Sequence, residues 1–152
     1  MAPMKTPRLL SLAAFAARLL VATVLLVAAT PKLLDPAGFA VAVANYRLLS
    51  PPANYAVALG LPWIECLVAL GLLFSPAAAR RGAWLLGIGL SVLFFGVVAS
   101  AWARGLDIAC GCFGGAGKIT LLDLALRLAL ILGMAVGACA DRAAQRTNAT
   151  ET

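Results

Sequence analysis

Two thiols separated by one glycine, Cys110-Gly111-Cys112, are the residues of this sequence best suited to chemistry. Two residues of extended chain span at most about 7 Å, and disulfide Cα separations run to about 6.8 Å, so mild bending brings the sulfurs into reach. Gly111 removes the β-carbon that would obstruct so tight a ring. A small strained ring is easier to reduce than a structural disulfide and tends toward oxidising potentials. Thiol–disulfide exchange with a second protein is therefore the chemistry expected of Cys110 and Cys112. Two other readings stay open. One is soft-metal binding, such as Cu(I) on two thiolates. The other is a static cross-link, although so short a ring constrains almost nothing in the unfolded chain. Cys66 and Cys139 lie inside apolar runs and read as packing residues.

Four ionisable residues also fall inside apolar runs: Arg18, Glu65, Asp123 and Arg127. Each would cost about 2.5–3.5 kcal/mol at the centre of an isolated membrane helix. Two are positive and two negative, so pairing can cancel the charge. Arg18 stands about 14 Å into its run and Glu65 about 15 Å into its own, which puts both near the midplane of a core about 30 Å thick. An Arg18–Glu65 pair is expected. Asp123 and Arg127 are four residues apart with the acid first, the favourable order along one helix. Such charges form either an ionic lock that orients a bundle or a proton relay or ligand site beneath the cysteines.

The rest of the chain says what must hold these groups. It has 152 residues, 63% apolar and 12% charged, with a mean hydropathy of +0.99. A soluble domain is nearer 45–50% apolar with about a quarter of its residues charged. Too few charges remain to cover a water-facing surface, which excludes a soluble enzyme. The absence of histidine excludes Ser-His-Asp and Cys-His catalysis, His-ligated haem and the usual zinc sites. There is also no P-loop motif. The net charge is +6, but the basic residues sit mostly between or beside the apolar runs. That distribution fits topology and anionic headgroups rather than nucleic acid. No resident cofactor or metal is expected.

The fold class predicted is all-α: a polytopic membrane protein with four transmembrane helices in an up-down bundle. The spans are expected at about 9–30, 55–74, 82–102 and 119–140, forming one membrane domain over 1–140. The first follows Lys5 and Arg8 but is long and carries Arg18, so it reads as a retained helix rather than a cleaved signal. In the first loop, Asp35 can cap a helix that begins at Pro36 and runs over 37–48, lying either at the membrane surface or as a connector that covers the top of the bundle. Ala129, Gly133 and Gly137 on the fourth span, with Gly89 and Gly96 on the third, are candidates for close helix contact. Residues 141–152 read as a polar, frayed cytoplasmic tail.

Orientation follows from Lys and Arg on the two sides. Lys5, Arg8, Arg80, Arg81, Arg142 and Arg146 lie on one side; Lys32, Arg47, Arg104 and Lys118 lie on the other. The bias sets both termini in the cytoplasm and the cysteine pair on the outer face, where disulfides persist.

Several of these residues together resemble a known family. Cys110-Gly-Cys112-Phe-Gly114, ahead of a span with Asp123 and Arg127, is similar to the methylamine-utilisation protein MauE family within the DoxX-like four-helix membrane proteins. So are Pro31-Lys-Leu-Leu-Asp-Pro36 through Tyr46-Arg-Leu-Leu-Ser-Pro51, and Leu61-Pro-Trp-Ile-Glu65. The resemblance runs from about Arg18 to Cys139. It implies a bacterial inner-membrane protein that helps to mature an exported, disulfide-rich client, the small subunit of methylamine dehydrogenase. By position, Cys110 and Cys112 would be the thiol pair, and Arg18 and Glu65 family-typical intramembrane charges. Quinone-linked disulfide generators carry CxxC and a second cysteine pair, whereas this chain has CxC alone. A relay with a thioredoxin-like partner is the mechanism implied. A non-catalytic scaffold, or a small-molecule or ion transporter working through the charges, is the alternative.

Overall fold

A computed structural model describes residues 6–106 and 120–150. Five helices follow one another: α1 (Thr6–Leu34), α2 (Pro36–Asn45), α3 (Pro51–Phe74), α4 (Ala77–Ala103) and α5 (Leu121–Thr150). All but α2 are long and apolar enough to cross a membrane, and no strand occurs among the described residues. Each long helix packs on two others. α1 lies against α3 and α5, and α4 lies against the same two, closing a four-membered ring. α2 rests on α3 and touches α1 at one end of this ring.

The core at the centre of the ring is aliphatic. Val21, Ala22 and Leu25 of α1 interlock with Val68, Ala69 and Leu72 of α3, and Trp84, Met134 and Ala138 close the other side. Outward-facing positions are large and apolar too, including Leu20, Leu67, Leu85 and Leu132. In lipid this is the normal outer surface, because acyl chains are as apolar as leucine.

The helices are longer than the apolar runs that announce them. α1 continues through Pro31, which lacks a donor but lies near the helix end, where the Asp35 amide donates to its carbonyl oxygen at 3.1 Å. Lys32 therefore belongs to the last turn of α1 and not to a loop. Asp35 then caps α2 as expected, accepting from the Gly38 amide at 2.9 Å with Pro36 at the first helical position. α2 buries Phe39 and Ala40.

The far end of the chain departs from expectation. α5 does not fray at residue 141 but runs to Thr150, and Asp141 is buried. The small-residue pattern holds only in part. A β-carbon on Gly133, Gly89 or Gly96 would meet nothing within 4 Å. Gly137 is pressed against Trp84 and Ala17 as expected, and Gly87, outside the expected set, is pressed against Met134 and Val68. A regular repeat of small residues marks a face, but helix rotation in the bundle decides which face makes contact.

Candidate functional site

Three helices carry a charged residue in the register of their buried stripe. In α1 the stripe is Ala14, Arg18, Val21, Leu25, Ala28 and Lys32. In α3 it is Leu61, Glu65, Val68 and Leu72, and in α5 it is Met134, Ala138, Asp141 and Gln145. Steps of three and four residues return to one helix face, so each charge is carried inward by the same periodicity that buries its apolar neighbours.

At the α2 end, Lys32 and Glu65 form an ion pair, Nζ to Oε1 2.5 Å, with both side chains only 3% exposed. Helical side chains lean toward the N-terminus of their own helix. Lys32, at the C-terminal end of α1, therefore reaches back into the bundle rather than out of it. Its ammonium lies 5.4 Å from the centroid of the Phe39 ring and 5.3 Å from that of Phe94, a cation–π contact on two sides. Four helices thus build one cage: α1 supplies the cation, α3 the carboxylate, and α2 and α4 the rings. Glu65 Oε2 is buried with no hydrogen-bond donor among the described residues.

At the opposite end, Asp141 is the hub. Its Oδ2 accepts from Arg80 Nε at 2.9 Å, Gln145 Nε2 at 3.0 Å and Trp84 Nε1 at 3.4 Å, and its Oδ1 lies 3.7 Å from Arg18 Nε. Arg80 also donates to the Ser75 carbonyl at 3.0 Å, holding the C-terminus of α3. Arg18 donates to the Ala14 carbonyl and lies 5.5 Å from the Phe15 ring centroid. Asp141 thereby ties together α1, α4 and α5, and through Arg80 reaches α3.

The expected Arg18–Glu65 pair is therefore corrected: Arg18 pairs with Asp141 and Glu65 with Lys32. The reason is register. Val21, Ala22 and Leu25 lie beside Val68, Ala69 and Leu72. In an antiparallel pair this sets Glu65 opposite the last turns of α1, while Arg18 lies about 21 Å away along the axis from Lys32. Counting inward from each run's own end gave both residues similar depth, but the two helices are not aligned at those ends.

Asp123 has a local role at the start of α5. Its Oδ2 accepts from the Thr120 amide at 2.8 Å and hydroxyl at 2.7 Å, while the Asp123 amide donates to Thr120 Oγ1 at 3.3 Å. This is a reciprocal capping box with aspartate at the third position. Arg127 follows one turn later and is half-buried. Cys66 is half-buried, and Cys139 is exposed on α5, outside the packed core assigned to it.

Cys110 and Cys112 lie outside the described residues, but both flanks of their segment are built by recognisable signals. α4 ends in a Schellman motif: the Leu106 amide donates to the Ala101 carbonyl at 3.1 Å and the Gly105 amide to that of Trp102 at 3.0 Å, with Gly105 at φ 64°. Arg104 Nη2 donates to the Tyr46 carbonyl at 2.7 Å, joining this helix end to the α2–α3 connection. On the other flank stands the Thr120–Asp123 box.

Lys32 and Asp141 are the buried charged side chains that sequence reasoning missed. One was read as a loop charge and the other as the start of a tail. Their signal was present in the stripes: each continues the three-and-four spacing of its helix's buried residues past the point where the apolar run stops.

The fold and these sites define a polytopic helical membrane protein whose buried charges are matched between helices. The family described as "Methylamine utilisation protein MauE" matches residues 10–140, and the chain belongs to that family. It is also 35% identical over 100 residues to the "Methylamine utilization protein MauE" of Paracoccus denitrificans, a match covering 65% of this chain and 53% of that protein. The chain thus spans about half the length of that relative. No solved structure matches it.

Proposed function

We propose that this protein assists maturation of an exported, disulfide-rich protein by thiol–disulfide exchange at Cys110 and Cys112. The small subunit of methylamine dehydrogenase is the proposed client, and the location is the bacterial inner membrane with both termini in the cytoplasm. The observation that carries this reading is the Cys-Gly-Cys motif between α4 and α5. Exchange needs a thiolate, so one cysteine must be accessible and partly ionised. Arg104 and Lys118 flank the motif and favour the thiolate, while Asp107 opposes it. A thioredoxin-like partner supplies or removes the electron pair as the disulfide forms or breaks.

Orientation gains support from Lys32. Because it is buried against Glu65, it no longer counts as a loop charge. Arg80 leaves the opposite count in the same way, since it pairs with buried Asp141, so the side that bears the α4–α5 connection carries Arg47, Arg104 and Lys118 against Lys5, Arg8, Arg81, Arg142 and Arg146. The positive-inside rule sets that connection outside. The test is to trap free thiols in intact membranes, with and without reductant, and to read the mass shift. Cys110→Ser and Cys112→Ser should abolish both the reductant-dependent change and client maturation. Unimpaired maturation in the double variant would replace the redox reading with a scaffold. A reporter fused to the C-terminus that proves active only outside the cell would overturn the orientation.

A further inference from the structure

The Lys32–Glu65 cage has a property that a simple ionic lock does not require. The lysine head group, a methylene bearing an ammonium, lies over the rings of both Phe39 and Phe94 and against one carboxylate oxygen. Two aromatic faces and an anion around one ammonium group are the elements that recognise small organic ammonium ions. The fit is incomplete, however. Lys32 reaches only Oε1, and Oε2 is left buried without a donor among the described residues. Leaving a buried charged acceptor unpaired is unfavourable. The stem of Lys32 fixes where its nitrogen can go, and a free ammonium with three N–H donors has no such tether and can lie across both oxygens.

The position of Lys32 permits exchange. It stands two residues from the end of α1, so its four-carbon stem can swing its head to the membrane surface. A monovalent ammonium that enters as Lys32 leaves keeps the buried charge balanced, which the membrane interior demands. The covering element, α2, is ten residues long, bears no charge and rests on α3 with a small contact to α1. We propose that the Lys32–Glu65–Phe39–Phe94 cage is an exchangeable site for a small primary alkylammonium ion, with Lys32 as its tethered occupant. The site makes no use of the cysteines, so it goes beyond the redox function proposed above.

The probe is methylammonium labelled with 13C, added to the purified full-length protein in detergent and followed by NMR. Over the ring faces of Phe39 and Phe94 its methyl resonance should move upfield and saturate with protein. Tetramethylammonium, with the same charge but no N–H donor, should show no saturable shift. Glu65→Gln should abolish the shift, while Phe94→Leu, which keeps the carboxylate, should retain binding with a smaller shift. Lys32→Ala empties the cage, and methylammonium at about five times its Kd should raise the unfolding temperature of that variant by about 2–4 °C. No saturable shift with the wild-type protein overturns the site, as does an equal shift with Glu65→Gln. If Glu65→Gln does not fold, an unchanged shift in Phe94→Leu overturns it in the same way. The Cys110→Ser, Cys112→Ser double variant should bind methylammonium normally, so this proposal and the redox reading fail independently.

Discussion

Trp84 lies across Gly137 so closely that a β-carbon on the glycine would stand 2.8 Å from Trp84 Cη2 and 3.2 Å from the β-carbon of Ala17. The indole cannot give way easily, since it is 2% exposed and its Nε1 donates to Asp141. Gly137→Ala should therefore destabilise the bundle by about 1–3 kcal/mol, the usual range for overpacking a filled interior. Gly133→Ala, one turn away where nothing lies within 4 Å, should leave stability nearly unchanged. Thermal unfolding of both variants in the same detergent checks the contrast. Equal damage at the two positions would mean that α4 and α5 do not meet at Gly137.

The exchanged charge partners make a direct prediction. Removing one member of a buried pair strands the other charge and costs about 3–5 kcal/mol. Lys32→Met and Glu65→Gln should each be severe, and combining them should cost clearly less than the sum of the two. Arg18→Met combined with Glu65→Gln should be additive within about 0.5 kcal/mol, as for sites without shared partners. A strong Arg18–Glu65 coupling in folding yield or chemical denaturation would restore the midplane pair and refute the observed register.

Asp141→Ala should be among the most damaging single changes. It removes the acceptor that Arg18, Arg80, Trp84 and Gln145 share, leaving two largely buried guanidinium groups with no anion between them. A loss of about 3–5 kcal/mol is expected. Asp141→Asn keeps a hydrogen-bond acceptor and should recover part of it. Truncation after Ala140 should be as harmful as Asp141→Ala, whereas removal of residues 148–152 alone should be mild. Those four unfolding curves settle whether Asp141 belongs to the bundle or to a tail.

The capping motifs on either flank of the cysteine segment can be tested without touching a thiol. Gly105→Ala sets a β-carbon on a residue at φ 64° and should cost about 1–2 kcal/mol. Thr120→Ala removes one side of the capping box and should cost about 0.5–2 kcal/mol. If the flanks set how Cys110 and Cys112 are presented, both variants should slow alkylation-sensitive exchange with a client more than they reduce the amount of folded protein. An exchange rate that falls only in proportion to folded protein would leave them a purely structural role.

The number of spans, the class of fold and the cap of α2 were legible in the sequence, because each depends on neighbours along the chain. A run of apolar residues crosses a membrane wherever it sits, and Asp35-Pro36 starts a helix by satisfying its own first turn. The Cys-Gly-Cys motif was legible for the same reason. Charge pairing is not a local property. Arg18 has the same composition of neighbours whether it faces Glu65 or Asp141, and only the sliding register of α1 against α3 and α5 decides between them. That register is set by how Val21, Ala22 and Leu25 interlock with Val68, Ala69 and Leu72, a fit of side-chain shapes between residues more than 40 positions apart in the chain. The same fit drew Lys32 and Asp141 out of what read as loop and tail. In a medium without water, a charge that can reach a partner is buried with it, and the helix extends as far as needed to carry it there.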